Sequence, residues 1–285
     1  MPDRDDPARP AVKILFAPKQ PPPVLEIARA LVPPGYELVV ADVGTPEFIE
    51  AAADAEFYLG LARRMGGEFF RSAPKLRLVQ LLSAGYDHVD VEAARKAGVP
   101  VSNNGGANAI AVAEHTLLLI LAVLKRLVRF HNDVVAGRWR VAEPADARGG
   151  ELAGRRVGLI GLGNIGKKVA RRIVACDARV QYFDICRLSE DAADALGVRF
   201  VLPDELLRTS DVVSLHVPLD DSTRGMIGAR ELGIMKRSAV LINTCRGPVV
   251  DEVALHAALT SGQIAGAGLD VMTEEPPRQD HPLFA

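Results

Sequence analysis

Three cysteines are too few, and too scattered, to frame this chain. Cys176, Cys186 and Cys245 form no C-x-x-C pair, which argues against a disulfide scaffold or a zinc site and fits reduced thiols in a cytosolic protein. Charge of one sign is equally scarce: 34 Lys and Arg face 36 Asp and Glu, a net charge of −2 with both signs interspersed. No nucleic-acid partner and no strongly charged one is expected from that balance. Long apolar runs are missing as well. The longest lies near Leu117 to Leu124, far short of the roughly 20 residues that a membrane helix needs, so no membrane partner is expected. Met1 to Pro10 is charged and proline-rich, unlike a secretory signal, and reads as a disordered tail. What remains is a soluble globular composition, 48% hydrophobic and 25% charged over 285 residues, enough for two domains. A cytoplasmic protein is the expectation.

One stretch carries a specific signal. Arg156 to Asp184 has the form of a strand, a glycine-rich turn, a helix and a second strand that ends in an acid. Val157, Leu159 and Ile160 supply the first apolar run. Gly161, Gly163 and Gly166 fill G-x-G-x-x-G, and Ile165, Val169 and Ile173 recur every four residues on one helix face. Gly161 permits the tight turn, Gly163 admits a pyrophosphate close to backbone, and Gly166 lets helix pack on strand. The pyrophosphate would rest on the free N–H groups at the helix start, around Asn164 and Ile165. Asp184 would accept hydrogen bonds from the adenosine ribose. Its charge should repel a 2′-phosphate and so favour NAD, although Arg187 lies close by in sequence.

Upstream, strands are expected at Val12–Phe16, Leu38–Val40, Phe57–Leu61, Leu76–Leu82 and Val99–Ser102. Helices are expected at Val24–Leu31, from Thr45-Pro46 to Ala53, at Gly67–Ser72 and at Val91–Ala97. This alternation predicts an α/β fold whose first domain, 1–104, is a flavodoxin-like parallel sheet. Ala107 to Val135 is expected to form one long helix. Its middle is apolar on every side, which implies burial between layers, domains or subunits. Glu114 and His115 within it read as an interior pair bridging to neighbouring elements rather than as a catalytic dyad. After a loop from Trp139 to Gly150, strands and helices alternate again to the strand Ala265–Val271, with Asp251 capping a helix that Gly262 stops. That pattern predicts a Rossmann-type doubly wound parallel sheet over 105–285.

Strand ends are where such sheets bind ligands. Ser83-Ala84-Gly85-Tyr86 follows one strand, and its N–H groups suit an anion such as a carboxylate; the residues alone fit an ordinary turn equally well. Arg246 follows another strand in Asn243-Thr244-Cys245-Arg246-Gly247. It could hold a substrate carboxylate bidentately and polarise the adjacent carbonyl, a reading favoured over a surface ion pair. Glu274 and Glu275 follow the last strand; either could brace a histidine acting as general acid, and either could be a solvated loop acid.

These motifs, taken together, resemble the D-isomer-specific 2-hydroxyacid dehydrogenase family. The resemblance runs from Lys13 to the end and rests on SAGYDHVD at 83–90, VAEH at 112–115, ELAGRRVGLIGLGNIG at 151–166, HVPL at 216–219 with Thr223, NTCRG at 243–247 and GAGLDV with EEP at 266–276. It implies a substrate-binding first domain and an NAD-binding second. Ala84, Gly85 and Tyr86 would meet the substrate carboxylate, and Arg246 would be the catalytic arginine. Glu275 would be the family's glutamate. Asp270 would lie near the nicotinamide carboxamide, with His216, Pro218, Thr223 and Thr244 also on the cofactor. The long helix would serve a homodimer. Loops near Tyr86, with Arg63 and Arg64, would help select the small 2-oxo or 2-hydroxy acid.

In one respect the chain departs from the family. The family's proton donor is a histidine in a T-P-H segment that this chain, ending His281-Pro282-Leu283-Phe284-Ala285, does not contain. The family's last segment, which returns to complete the first domain, is not present either, and truncation is the favoured reading of an end in mid-loop. His281 belongs to the segment before T-P-H, so the role is not carried onto it. The expected activity is hydride transfer between NAD(H) and a D-2-hydroxy acid or 2-oxo acid, with severely weakened turnover in the 285-residue chain. The alternative is a non-catalytic, corepressor-like NAD(H)-binding protein on the same scaffold. Formate oxidation is disfavoured, because formate enzymes have glutamine where Glu275 stands.

Overall fold

A computed structural model describes residues 11–61, 65–139 and 150–284. The tail 1–10, Arg63 and Arg64, and most of the loop expected from Trp139 to Gly150 lie outside the described residues. The chain divides into two compact units, Met1–Ala107 and Asn108–Ala285.

In the first unit, β1 (Val12–Ala17), β2 (Tyr36–Val40), β3 (Phe57–Gly60), β4 (Leu78–Leu81) and β5 (Val101–Ser102) form one parallel sheet in the order β2-β1-β3-β4-β5. That is the flavodoxin-like order. Four helices alternate with the strands: α1 (Pro22–Ala30), α2 (Pro46–Asp54), α3 (Gly67–Ser72) and α4 (Val91–Lys96). Local chemistry sets their starts. Thr45 Oγ1 accepts the Phe48 N–H ahead of α2, and Asp90 Oδ1 accepts the Ala93 N–H at 2.8 Å ahead of α4. Leu15, Tyr58, Phe69, Val79 and Leu81 pack as the core of this unit.

The second unit opens with α5 (Ala109–Leu124) and α6 (Leu127–Val135), two helices where one was expected. Arg126 stands between them in the left-handed region, at φ 51° and ψ 41°. The Leu124 carbonyl, which an unbroken helix would pair with the Val128 N–H, instead accepts the Gly150 N–H at 2.7 Å. A tertiary partner thus replaces the helical one, and the chain turns.

From there β6 (Arg156–Ile160), α7 (Asn164–Val174), β7 (Arg179–Phe183), α8 (Glu190–Leu196), β8 (Val198–Phe200) and α9 (Pro203–Thr209) build one half of a fold. β9 (Val212–Leu215), α10 (Ala229–Ile234), β10 (Val240–Asn243), α11 (Glu252–Thr260) and β11 (Gly266–Leu269) build the other. The six strands are parallel, in the order β11-β10-β9-β6-β7-β8. Strand order reverses between β6 and β9, and the crevice beyond the strand ends at such a reversal is where this architecture binds ligands. Every residue of β9 and β10 is buried, as expected for strands covered on both faces. One core layer gathers Ile120 of α5 and Val169 and Ile173 of α7 on Val157 and Leu159; the other gathers Leu206 and Leu255 on Ile160 and Leu215.

Candidate active site

Gly161 and Gly166 have the turn and the close packing that their spacing predicts. Gly161 adopts φ 95°, and a Cβ on it would overlap the His216 carbonyl. A Cβ on Gly166 would overlap the Gly161 carbonyl oxygen, where α7 crosses β6. Gly163 is different: apart from its own chain neighbours, no heavy atom lies within 4 Å of where its Cβ would stand. It is the N-cap of α7, with no side chain capping the helix and no acid in its first turn. By contrast α2, α4, α8 and α11 are all capped by side chains. The eleven-residue α7 therefore presents open N–H groups, its positive dipole end and open space together, a fit for a pyrophosphate.

Asp184, just past β7, bends back over this turn. Its Oδ2 accepts the Leu162 N–H at 2.6 Å and its Oδ1 the Cys186 N–H at 2.7 Å. Two backbone donors thus hold the carboxylate at the rim, with lone pairs left for ribose hydroxyls. Arg187, the cation that could have welcomed a 2′-phosphate, stacks over the Phe200 ring at 4.8 Å.

At the end of β9 the His216 N–H donates to the Ile160 carbonyl at 2.7 Å, and its Nε2 lies 3.0 Å from Ser214 Oγ. Burial lowers its pKa from 6.5 to about 4, so the ring is neutral near pH 7. The following loop is tied by its own side chains. Thr223 Oγ1 donates to the Pro218 carbonyl at 2.7 Å and accepts the Asp220 N–H at 2.9 Å. Thr223, expected on the cofactor, thus has its hydroxyl hydrogen committed to shaping the loop that carries Pro218.

Beyond β10, Asn243 acts as a brace that its place in a buried apolar strand did not advertise. Its Nδ2 donates to the Arg246 carbonyl at 2.9 Å, and its Oδ1 accepts the Cys245 N–H at 3.1 Å and the Cys245 thiol at 3.0 Å. Burial pushes that thiol's pKa up, keeping it protonated. The brace fixes the backbone from which Arg246 projects, partly exposed, with Nη1 donating to the Cys245 carbonyl at 2.7 Å. Gly247 then packs on the Met272 and Thr273 backbone, which brings the β10 and β11 ends together.

Past β11, the Asp270 N–H donates to the Asn243 carbonyl at 3.0 Å, while its Oδ1 lies 3.1 Å from His115 Nε2 on α5. Glu275 is exposed, and its Oε1 accepts the Met272 N–H at 3.0 Å. Asp270, Met272 and Glu275 line a cavity of about 390 Å³ together with Leu269, Leu283 and Phe284. His281 turns both ring nitrogens to other partners, Nε2 to Glu252 at 3.2 Å and Nδ1 to the Leu283 N–H at 3.3 Å. Glu114 and His115 do bridge to neighbouring elements, but not from the interior. Glu114 reaches Arg172 at 3.0 Å with 63% of its side chain exposed, and His115 is 39% exposed.

In the first unit, Ala84, Gly85 and Tyr86 follow β4 at the carboxyl edge of that sheet. The carbonyls of this turn are taken by donors of the chain itself. Asn104 N–H donates to Ser83, Asn103 Nδ2 to Ala84, Ser83 Oγ to Gly85 and Val89 N–H to Tyr86, at 2.7–3.0 Å. The N–H groups of Ala84, Gly85 and Tyr86 have no acceptor among the described residues. That polarity suits a carboxylate.

A parallel sheet in this strand order, a glycine turn leading into an uncapped helix and an acid at the second strand's end define a dinucleotide-binding oxidoreductase scaffold. Residues 117–285 match the family model of the D-isomer specific 2-hydroxyacid dehydrogenase, NAD binding domain. A glyoxylate reductase of Korarchaeum cryptofilum is 43% identical over 238 residues, covering 83% of this chain and 71% of the relative. Another, from Thermofilum pendens, is 42% identical over 224 residues, 78% of this chain and 66% of the relative. The crystal structure of a D-lactate dehydrogenase from Aquifex aeolicus complexed with NAD and lactic acid superposes with a TM-score of 0.82 at 32% identity, over 92% of this chain and 78% of that one. The chain belongs to the D-isomer specific 2-hydroxyacid dehydrogenases, an NAD-dependent enzyme family, and spans 66–71% of the length of these two glyoxylate reductase relatives.

Proposed function

We propose that the protein is an NAD(H)-dependent reductase of a small 2-oxo acid of the glyoxylate class, working equally as a dehydrogenase of the D-2-hydroxy acid. The observation that carries this is the paired strand ends of the second unit, with Arg246 held by Asn243 beside the segment of Asp270 and Glu275. NADH, when bound, supplies hydride to the substrate C2. The chain's own residues bind and orient cofactor and substrate. The start of α7 and Gly163 hold the pyrophosphate, and Asp184 takes the ribose hydroxyls. Pro218 and Thr223 shape the pocket wall, and neutral His216 lines it without adding charge. Thr244 and Asp270 face the carboxamide. Arg246 holds the substrate carboxylate and draws charge onto the carbonyl oxygen, and Glu275 braces the proton donor. The N–H groups of Ala84, Gly85 and Tyr86, in the first unit, suit a carboxylate. The first unit is thus the substrate domain and the second the NAD domain. Exposed apolar residues on α5 and α6 support a homodimer, the even charge balance supports no nucleic-acid partner, and three cysteines without a C-x-x-C pair fit a cytoplasmic protein. No described helix is long and apolar enough to cross a membrane.

The test is NADH oxidation by the full-length gene product with glyoxylate, hydroxypyruvate and pyruvate. Turnover should occur, and Arg246→Gln should lower kcat/KM by about two orders of magnitude or more with an unchanged Tm. Tight NADH binding without turnover on any 2-oxo acid would sink the catalytic reading and raise the corepressor-like one, which finds no support in relatives named as reductases and dehydrogenases.

A further inference from the structure

Helix α5 lies antiparallel along β11 in a matched register. Going down the helix, His115 meets Asp270 at 3.1 Å; Leu119 Cβ lies 3.2 Å from the Cβ position of Gly268, and Val123 Cγ1 lies 3.2 Å from that of Gly266. Steps of four along a helix rise about 6 Å, and steps of two along a strand about 6.6 Å. The stripe 115-119-123 can therefore follow the stripe 270-268-266 in phase. Alternate glycines on β11 let the helix come close enough for His115 to reach the strand end.

The next residue repeats the arrangement on β10. Thr116 Oγ1 donates to the Val112 carbonyl at 2.8 Å, which commits its one hydrogen. Its 3.0 Å contact with Thr244 Oγ1, both residues being buried, must then use the Thr244 hydrogen. Thr244 is left able only to accept. Asp270 is an acceptor by charge, and its carboxylate orientation is set by His115. The His115 and Asp270 side chains are 39% and 47% exposed, so their pairing adds little to stability. Its value lies in orientation.

We propose that α5 is a positioning element for the cofactor, with His115 and Thr116 aiming Asp270 and Thr244 as two acceptors at the carboxamide NH2 of nicotinamide. This fixes which way the amide points and so which face of the ring is presented. The proposal rests on the reading that Asp270 faces the nicotinamide. His115 and Thr116 act through Asp270 and Thr244 and need not touch the cofactor.

The test measures affinity in the full chain for NADH, for its acetylpyridine analogue, in which a methyl replaces the amide NH2, and for ADP-ribose. The wild type should prefer NADH to the analogue by about tenfold. His115→Leu should reduce that preference to about twofold with ADP-ribose affinity unchanged, and His115→Gln, which keeps an N–H donor, should restore most of it. Loss of ADP-ribose affinity in His115→Leu would mean a merely structural role and overturn the proposal. So would a preference lost in Asp270→Ala but kept in His115→Leu. If Asp270→Ala keeps the preference too, it is the placement of Asp270 at the nicotinamide that fails.

Discussion

The Leu162 N–H donates to Asp184 Oδ2 at 2.6 Å, joining the glycine turn to the end of the neighbouring strand. One carboxylate thereby braces the loop that would hold the pyrophosphate and would face the adenosine ribose. Removing the charge and removing the brace are separable. Asp184→Asn keeps an acceptor but not the charge, so it should lose about tenfold in NADH affinity and narrow the preference for NADH over NADPH. Asp184→Ala loses the brace as well and should bind both cofactors weakly. Fluorescence titration of both variants with both cofactors decides it; an unchanged NADH/NADPH ratio in Asp184→Asn would remove Asp184 as the selector.

The three glycines of the turn should separate stability from binding. Gly161 has positive φ and backbone against it, and Gly166 has backbone against it. Alanine at either should cost about 2 kcal/mol or more and lower Tm. Gly163 has φ −74° and open space around it. Gly163→Ala should leave Tm within a degree or so while NADH affinity drops about tenfold, because the methyl stands where the pyrophosphate approaches. Equal Tm losses in all three variants would contradict this division.

Those glycines show why so much of this fold could be read from the chain. The tight turn and the helix packing each admit almost no other residue, and the apolar periods around them give strand and helix directly. The break between α5 and α6 was illegible for the converse reason. Lys125 and Arg126 are good helix formers, and the turn there accompanies a bond from distant Gly150. Asn243 and His115 were hidden in the same way. A strand position and a helix position do not reveal that one side chain braces Arg246 and the other meets Asp270.

His216 gives the protein a calculable acid sensitivity. Desolvation lowers its pKa from 6.5 to about 4 in the folded state. Between those values the unfolded chain binds a proton that the native state does not, so stability falls as pH drops from 6.5 towards 4 and is complete above 6.5. The loss across this window is at most roughly 3 kcal/mol. Urea unfolding of wild type and His216→Asn should show the variant losing less stability between about pH 7 and about pH 5. Parallel losses would show that another group carries the acid dependence.

The exposed face of α5 and α6 makes the last prediction. Leu118 is 52% exposed, Val128 68% and Val135 74%, and α6 buries none of its residues. A contiguous apolar patch is uncommon on a monomer, and exposed side chains such as these are what a contact would cover. If two copies meet there about a twofold axis, each side chain appears twice, so one substitution places two charges in the interface. An unpaired carboxylate in such a setting costs several kcal/mol, enough to dissociate a dimer of ordinary affinity. Sedimentation should find the wild type dimeric at micromolar concentration and Leu118→Glu/Val128→Glu monomeric, with the same circular dichroism. Because the Leu119 and Val123 stripe that packs on β11 is left untouched, the monomer should still bind NADH. A wild type that sediments as a monomer would show that a second copy of the chain does not cover this face.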